Sequence, residues 1–271
     1  MSDRRVTDDI DDACDLLAGG DLTLVQSLPW SSNGTWLVSV ADGEHAVHAV
    51  YKPRDAERPL WDFPTGTLYL REMATFVISH MLGWDLVPPT VLRGGPFGPG
   101  SVQRFVPHDP ECHFLVMADP DPIFTQRLVA FDVVINNADR KSGHVLRAAD
   151  GRLWAIDHGF TLHAQPKLRT VIWEYAGQPV PGDILHDLEW LAAGLEAREA
   201  GPERRKALPI APGEGTSDTP AADGAGPFDI LADLLSASEI AALRARARRL
   251  VRRAVFPGAD PRQRMIPWPP V

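Results

Sequence analysis

This 271-residue chain has only two cysteines, three tyrosines, no excess of basic residues and no long apolar run. Each shortage excludes something. Cys14 and Cys112 are too few and too far apart in sequence for a disulfide framework. Lys and Arg total 27 against 36 Asp and Glu, a net charge of −9, which argues against the phosphate-driven binding of a nucleic-acid protein. No apolar stretch approaches the roughly 18 residues of a membrane span, so no transmembrane segment is expected. The opening "MSDRRVTDDIDDACDLLAGG" holds no apolar core of the signal-peptide kind. A cytoplasmic protein with reduced thiols is expected. What remains is ordinary for a globular chain, with 44% hydrophobic and 23% charged residues. The 25 prolines point to loops and an extended tail.

Periodicity places the elements. Residues 7–17 read as a short acidic helix with Ile10, Cys14 and Leu17 on one face. Residues 22–30 read as a strand. "TWLVSV", "ADG" and "HAVHAVYK" read as strand, turn and strand. A helix starts near Thr65 or Thr67 and repeats Leu70, Ala74, Val77 and Met81. "TVLRGGPFGPGSVQRFV" reads as two strands around a Gly/Pro loop. The next helix has Pro122 in its first turn and an apolar set of Ile123, Leu128, Phe131, Val134 and Ile135. Residues 182–199 form an amphipathic helix. Residues 201–227 are rich in Pro, Gly and Ala and read as a disordered insertion. A basic helix follows, opened by a capping box between Ser236 and Glu239. Strands first, helices later, around one more hairpin: this order predicts an α+β protein with two unequal lobes and a cleft between them.

Two hairpins carry the chemistry. Asp150-Gly151 as a two-residue turn would set Ala149 against Arg152 and, counting outward, His144 against Asp157. Asp139 lies one loop away. An acidic pocket with a neutral imidazole suits a divalent metal. A plain turn-rich loop explains "NNADRKSG" equally well. Asp42-Gly43 as a two-residue turn would pair Asn33 with Lys52. That sets a Ser/Asn/Gly loop beside a strand lysine, an arrangement that suits phosphate oxygens. Glu72 on the following helix is a partner for Lys52. Of the other candidates, "HDPECH" reads as a surface loop in preference to a metal site. The run "RARARRLVRR" reads as the solvated face of a helix in preference to a contact with an acidic partner or a membrane surface. Trp36, Trp61, Trp154 and Trp173 read as anchors of core or loops, with Trp173 a candidate border of an acceptor site.

Gly-rich loop, strand Lys, helix Glu, connecting segment, catalytic-loop Asp and metal Asp follow one another in the order of a kinase. On "SNGTWLV", "AVYKP", "RPLWDFPTGTLYLREMA", "GSVQRFVPHD", "FDVVINNADRKSGHVL" and "AIDHGFTLH" the chain resembles an actinobacterial family, the SCO1664 type. That family is distantly similar to phosphatidylinositol 3- and 4-kinases. The resemblance covers residues 22–181 and the last helix. It implies a two-lobed protein-kinase-like fold, with a β-rich nucleotide-binding lobe over residues 1–106 and a mostly helical lobe over 107–271.

It also implies roles. Ser32, Asn33 and Gly34 would cover the phosphates. Lys52 would hold them, braced by Glu72. Gln103, Phe105 and Val106 would belong to the hinge that receives adenine. Asp139 would be the catalytic aspartate, and Asp157 would hold Mg²⁺. The lipid kinases carry Asn five residues after the catalytic Asp; here that position is His144, an imidazole better matched to Mn²⁺ or Zn²⁺ than to Mg²⁺. The implied activity is transfer of the γ-phosphate of ATP to an unidentified acceptor: a protein, a metabolite or a lipid head group. A nucleotide-binding module without transfer, and transfer of AMP on the same scaffold, stay open beside it.

Overall fold

The computed structural model describes residues 3–28, 34–43, 45–199, 226–260, 262 and 264–271. Six α-helices and seven strands occur among them. They run α1 (Asp3–Gly19), β1 (Asp21–Ser27), β2 (Trp36–Ala41), β3 (Ala46–Pro53), α2 (Leu68–Met81), β4 (Thr90–Gly95) and β5 (Gly98–Arg104). Then come α3 (Pro122–Ile135), β6 (Val145–Arg147), β7 (Leu153–Ala155), α4 (Gly182–Glu199), α5 (Pro227–Leu234) and α6 (Ala237–Arg253). The expected α+β class is therefore observed. No described helix is long and apolar enough to cross a membrane.

The first five strands form one antiparallel sheet in the order β1-β2-β3-β5-β4. Side chains alternate across a strand. Val38, Val40, Ala49, Tyr51 and Val102 lie on the buried face, against Leu17 of α1 and Val91 of β4. Val50 and Lys52 belong to the opposite face, which looks into a cleft. A second, larger core joins Ile78 of α2 to Leu128 and Phe131 of α3, Leu188 and Leu191 of α4, and Leu243 and Leu250 of α6. Ile123, expected in the apolar set of α3, is 60% exposed, because it sits in the first turn before the helix enters the core.

Local chemistry sets the helix ends. Asp121 caps α3 by accepting the Ile123 N–H at 2.9 Å, with Pro122 at the first helical position. Ser236 and Glu239 form the expected capping box of α6. The cap of α2 comes from elsewhere. Glu57 accepts the N–H groups of Leu68 and Tyr69 at 3.1 and 2.8 Å, while Thr67 turns its hydroxyl to the Pro64 carbonyl. The basic face of α6 is used by the chain itself: Arg244 and Arg248 pair with Glu199 and Glu196 of α4. Trp61, read as an anchor, is 94% exposed.

Both hairpin registers differ from expectation. In the first, Ala41 faces Ala46 and Trp36 faces Tyr51, so the loop spans residues 42–45. Asp42 donates its N–H to the His45 carbonyl and accepts the His45 N–H on its side chain, closing a longer loop than Asp42-Gly43 alone. Continued one step past the Trp36–Tyr51 pair, this register sets Lys52 level with Thr35. In the second, Val145 faces Ala155 and Ala148 donates to the Arg152 carbonyl, so the loop is the three residues 149–151. Gly151 sits at φ +87°, the left-handed residue such a loop needs. His144 consequently faces Ile156, whose N–H it accepts at 3.0 Å, and not Asp157.

Candidate active-site cleft

A cavity of about 470 Å³ opens between the sheet, α2 and the β6–β7 hairpin. Gly34, Lys52, Glu72, Gln103, Phe105, Val106, Asp139, His144 and Asp157 all line it. Of the residues singled out in the sequence, Ser32 and Asn33 lie outside the described residues, as does most of the expected insertion, 201–225. Pro227, its expected last residue, opens α5. A side chain at Gly34 would bring a Cβ to 2.8 Å from Ala56, so this position requires glycine for packing.

Lys52 is the centre of the charge network. Its ammonium hydrogen-bonds Glu72 and, at 2.9 Å, Oδ1 of Asp157. Burial disfavours the ammonium, but Asp157 and then Glu72 outweigh it and hold Lys52 above the usual lysine range. Glu72 is nearly buried, and its second oxygen accepts the His158 N–H at 3.0 Å. One helix carboxylate thus ties strand β3 to the loop after β7.

Asp157 occupies left-handed backbone, φ +59°. That conformation is unfavourable for most side chains and is tolerated by Asp. It swings the carboxylate out of the strand direction and into the cleft. Oδ1 meets Lys52, and Oδ2 stands 3.3 Å from Nε2 of His144. The expected His144–Asp157 meeting is therefore real, although the ladder does not make it. Burial opposes ionisation of Asp157, yet Lys52 and His144 overcome it and hold the carboxyl well below the usual range. The side chain keeps 43% of its surface open to the cleft, so solvent screens part of that pull.

Burial pushes the His144 imidazole down to about 4, reinforced by Arg140, Lys141 and Lys52 and opposed by Asp157. His144 is therefore neutral at pH 7, and a neutral imidazole has a lone pair to offer and adds no competing positive charge. Among the described residues no group of three or more His, Cys, Asp or Glu is arranged to hold a metal alone. Asp157 and His144 present a two-donor face, which suits a divalent ion that takes its remaining ligands from phosphate oxygens and water. Burial also raises Asp139, to about 6, with Asp157 adding to the rise and Lys141, 3.4 Å away, opposing it.

The support beneath these groups was not legible as function. Arg140, completely buried, chelates Asp132 (Nε–Oδ2 3.0 Å) and donates to the carbonyls of His144 and Ile156, both at 3.1 Å. It also donates to Nε2 of His158 at 2.7 Å, which leaves the ring proton on Nδ1. Asn137 accepts the Asp139 N–H at 2.9 Å and donates to Asp132. The signal was present: Asp132 interrupts an apolar run on the core side of α3, where a carboxylate needs a partner. In the connecting segment, Gln103 donates to Thr90 Oγ1 at 2.9 Å, Phe105 donates its N–H to the His48 carbonyl, and the Val106 carbonyl accepts from His108. Val106, Leu146 and Trp154 form a small apolar cluster beneath the cavity, with Ile156 against it. His108 is used there, and His113 hydrogen-bonds Ser142 at 2.7 Å, so the histidines of "HDPECH" serve structure.

No family model matches the chain. Protein Rv2133c of Mycobacterium tuberculosis is 36% identical over 294 aligned positions, covering 96% of this chain and 95% of that protein. Phosphatidylinositol 4-kinase gamma 4 of Oryza sativa is 28% identical over 180 positions, 53% of this chain and 32% of that protein, so the similarity reaches about a third of the kinase's length. Among solved structures, the Golgi casein kinase has a TM-score of 0.48 at 15% identity, covering 90% of this chain and 75% of that one. The Helicobacter pylori proinflammatory kinase CtkA has 0.46 at 13%, covering 86% and 98%. With more than a third of its positions identical over nearly its whole length, the chain belongs to the family of protein Rv2133c.

Proposed function

We propose that the protein is an ATP-dependent phosphotransferase related to the phosphatidylinositol 3- and 4-kinases, acting on a protein, metabolite or lipid head group. The observation that carries the proposal is the Lys52 ammonium held between Glu72 and Asp157, with Asp139 across the same cavity. In this reading residues 1–106 form a nucleotide-binding lobe and residues 107–271 the lobe that carries Asp139 and Asp157. Val50 above and Leu146 and Ile156 below offer adenine an apolar slot beside the 103–106 segment. The 28% identity to a phosphatidylinositol 4-kinase is in accord with it.

Each residue has a physical task. Lys52 supplies a fixed positive charge to phosphate oxygens; Glu72 keeps it in place. Asp157 and His144 would hold Mg²⁺ or Mn²⁺, which would supply positive charge to neutralise the phosphates. Asp139, ionised above pH 6, accepts the acceptor's hydroxyl proton. The acceptor oxygen forms its bond to the γ-phosphorus as the bond to the β–γ bridging oxygen breaks, and ADP leaves with that electron pair. Arg140 keeps the two loops in register.

The test is thermal stability with ATP or ADP and with Mg²⁺, Mn²⁺ or no metal. A ligand at a hundredfold excess over its Kd stabilises the folded chain by about 2.7 kcal/mol. A metal-dependent shift with ATP, lost in Lys52→Ala and Asp157→Ala, is expected. An unchanged shift in both variants sinks the assignment. Product mass then separates phosphate from AMP transfer.

A further inference from the structure

A second cavity, about 380 Å³, lies between α1, α2, β4 and α5 and shares no lining residue with the cleft. Its walls are apolar: Cys14 from α1, Met73, Phe76 and Val77 from α2, and Ile230 and Leu234 from α5. Burial, with Asp11 and Asp15 adding to it, pushes the Cys14 thiol up to about 12, so it stays a neutral wall group.

One end is polar in a specific way. His80 is only 9% exposed and lines the cavity. Its Nδ1 is engaged by Asp85 at 2.9 Å. Its Nε2 is buried and has no hydrogen-bond partner among the described residues. Oδ1 of Asp11 stands 3.7 Å from that nitrogen, beyond hydrogen-bond length, and Asp15 shares the rim. A buried ring nitrogen without a partner is costly unless something completes it. Burial opposes a charge on this ring, but the hydrogen bond to Asp85 and the charges of Asp85 and Asp11 outweigh it and hold the imidazole above the usual histidine range; in the neutral form, with Nδ1–H donated to Asp85, the ring offers a lone pair at Nε2. Two acceptors 3.7 Å apart are both within reach of one group that carries several N–H bonds. Three carboxylates, Asp11, Asp15 and Asp85, surround one imidazole, so this end is negative whichever state the ring holds, and a cation is favoured over an anion.

We propose that this cavity binds a small amphipathic amine, its ammonium against Asp11 at the carboxylate-rich end around His80 and its aromatic or alkyl body between α1, α2 and α5. Such a pocket has the expected form of a ligand site: mostly apolar, with a few convergent polar atoms. α2 also carries Glu72, so an occupant leans on the helix that braces Lys52. The binding itself does not depend on the phosphotransfer reading.

Three probes share an indole body and differ in charge: tryptamine, tryptophol and indole-3-propionate. Each is titrated calorimetrically into the full chain without nucleotide. Tryptamine is expected to bind at least tenfold tighter than tryptophol, and indole-3-propionate weakest. Asp11→Asn, at the rim, should remove most of the tryptamine preference and leave tryptophol unchanged. Ile230→Trp, which fills the cavity, should abolish binding of all three. Equal affinities for the three probes overturn the proposal. So does tryptamine binding that survives unchanged in Asp11→Asn, or an absence of tryptamine binding by a chain with an intact unfolding transition.

Discussion

Replacing Asp139 by Asn should make the protein more stable and inactive. The carboxyl sits 20% exposed in the cleft, raised by burial to about 6 from the 3.8 of an unburied aspartate. The native state therefore holds this proton more tightly than the unfolded chain does. Between those two values the unfolded state binds fewer protons, so stability falls as pH rises. The penalty is near zero well below pH 4 and complete above about pH 6. A shift of about two units corresponds to about 3 kcal/mol of strain at pH 7.5, shrinking to about 0.5 kcal/mol at pH 4. Asn has the shape of the protonated acid and no charge, so it relieves the whole penalty. Its backbone bond to Asn137 is untouched, and Lys141, which loses its partner, reaches solvent. Urea unfolding of both proteins at pH 7.5 and pH 4 measures the difference. Equal stability at pH 7.5, or a gain of the same size at pH 4, would refute the argument. Phosphotransfer by the variant at the parent rate would refute the role of Asp139 as proton acceptor.

Removing Arg140 should be among the most damaging single changes. Arg140→Ala leaves Asp132 ionised in the core and should cost about 3–5 kcal/mol. Adding Asp132→Asn should recover part of it in a double-mutant cycle, and strict additivity would count against a coupled pair. Gly151→Ala should cost about 1 kcal/mol in chemical denaturation through backbone strain alone, since nothing lies within 4 Å of the added methyl. Ser236→Ala should cost about 1 kcal/mol by opening the capping box of α6; a neutral result would mean Glu239, already held by Arg71, carries the cap unaided.

The first hairpin register lies two residues from the one an Asp42-Gly43 turn dictates, and a shift of two leaves every side chain on its own face. Lys52 therefore still looks into the cleft and still meets Glu72, as expected. The second register lies one residue from that of an Asp150-Gly151 turn, a shift that by the ladder alone sends His144 and Asp157 to opposite sides. They meet because both lie beyond the last ladder pair, Val145–Ala155, and the positive φ of Asp157 turns its carboxylate back. Helices were more legible. The bounds of α4, the Pro122 start of α3 and the Ser236–Glu239 cap all follow from neighbouring residues, and local rules suffice for them.

By itself the sequence determined the α+β class, the helix starts with local caps and the face of Lys52, which follow from spacing, periodicity and turn chemistry within short stretches; the set Lys52, Glu72, Asp139, His144 and Asp157 stood out through the kinase-like order of its motifs and the family resemblance. Only the tertiary structure decided that Glu57 caps α2, that Arg140 ties Asp132 to His158 and to both loops, and that Arg71 joins α2 to Glu239 across most of the chain. Nor could the sequence tell that burial leaves His144 neutral and Asp139 half-ionised near pH 6. Those properties depend on which charges and carbons surround a group in space, and residues far apart along the chain supply them.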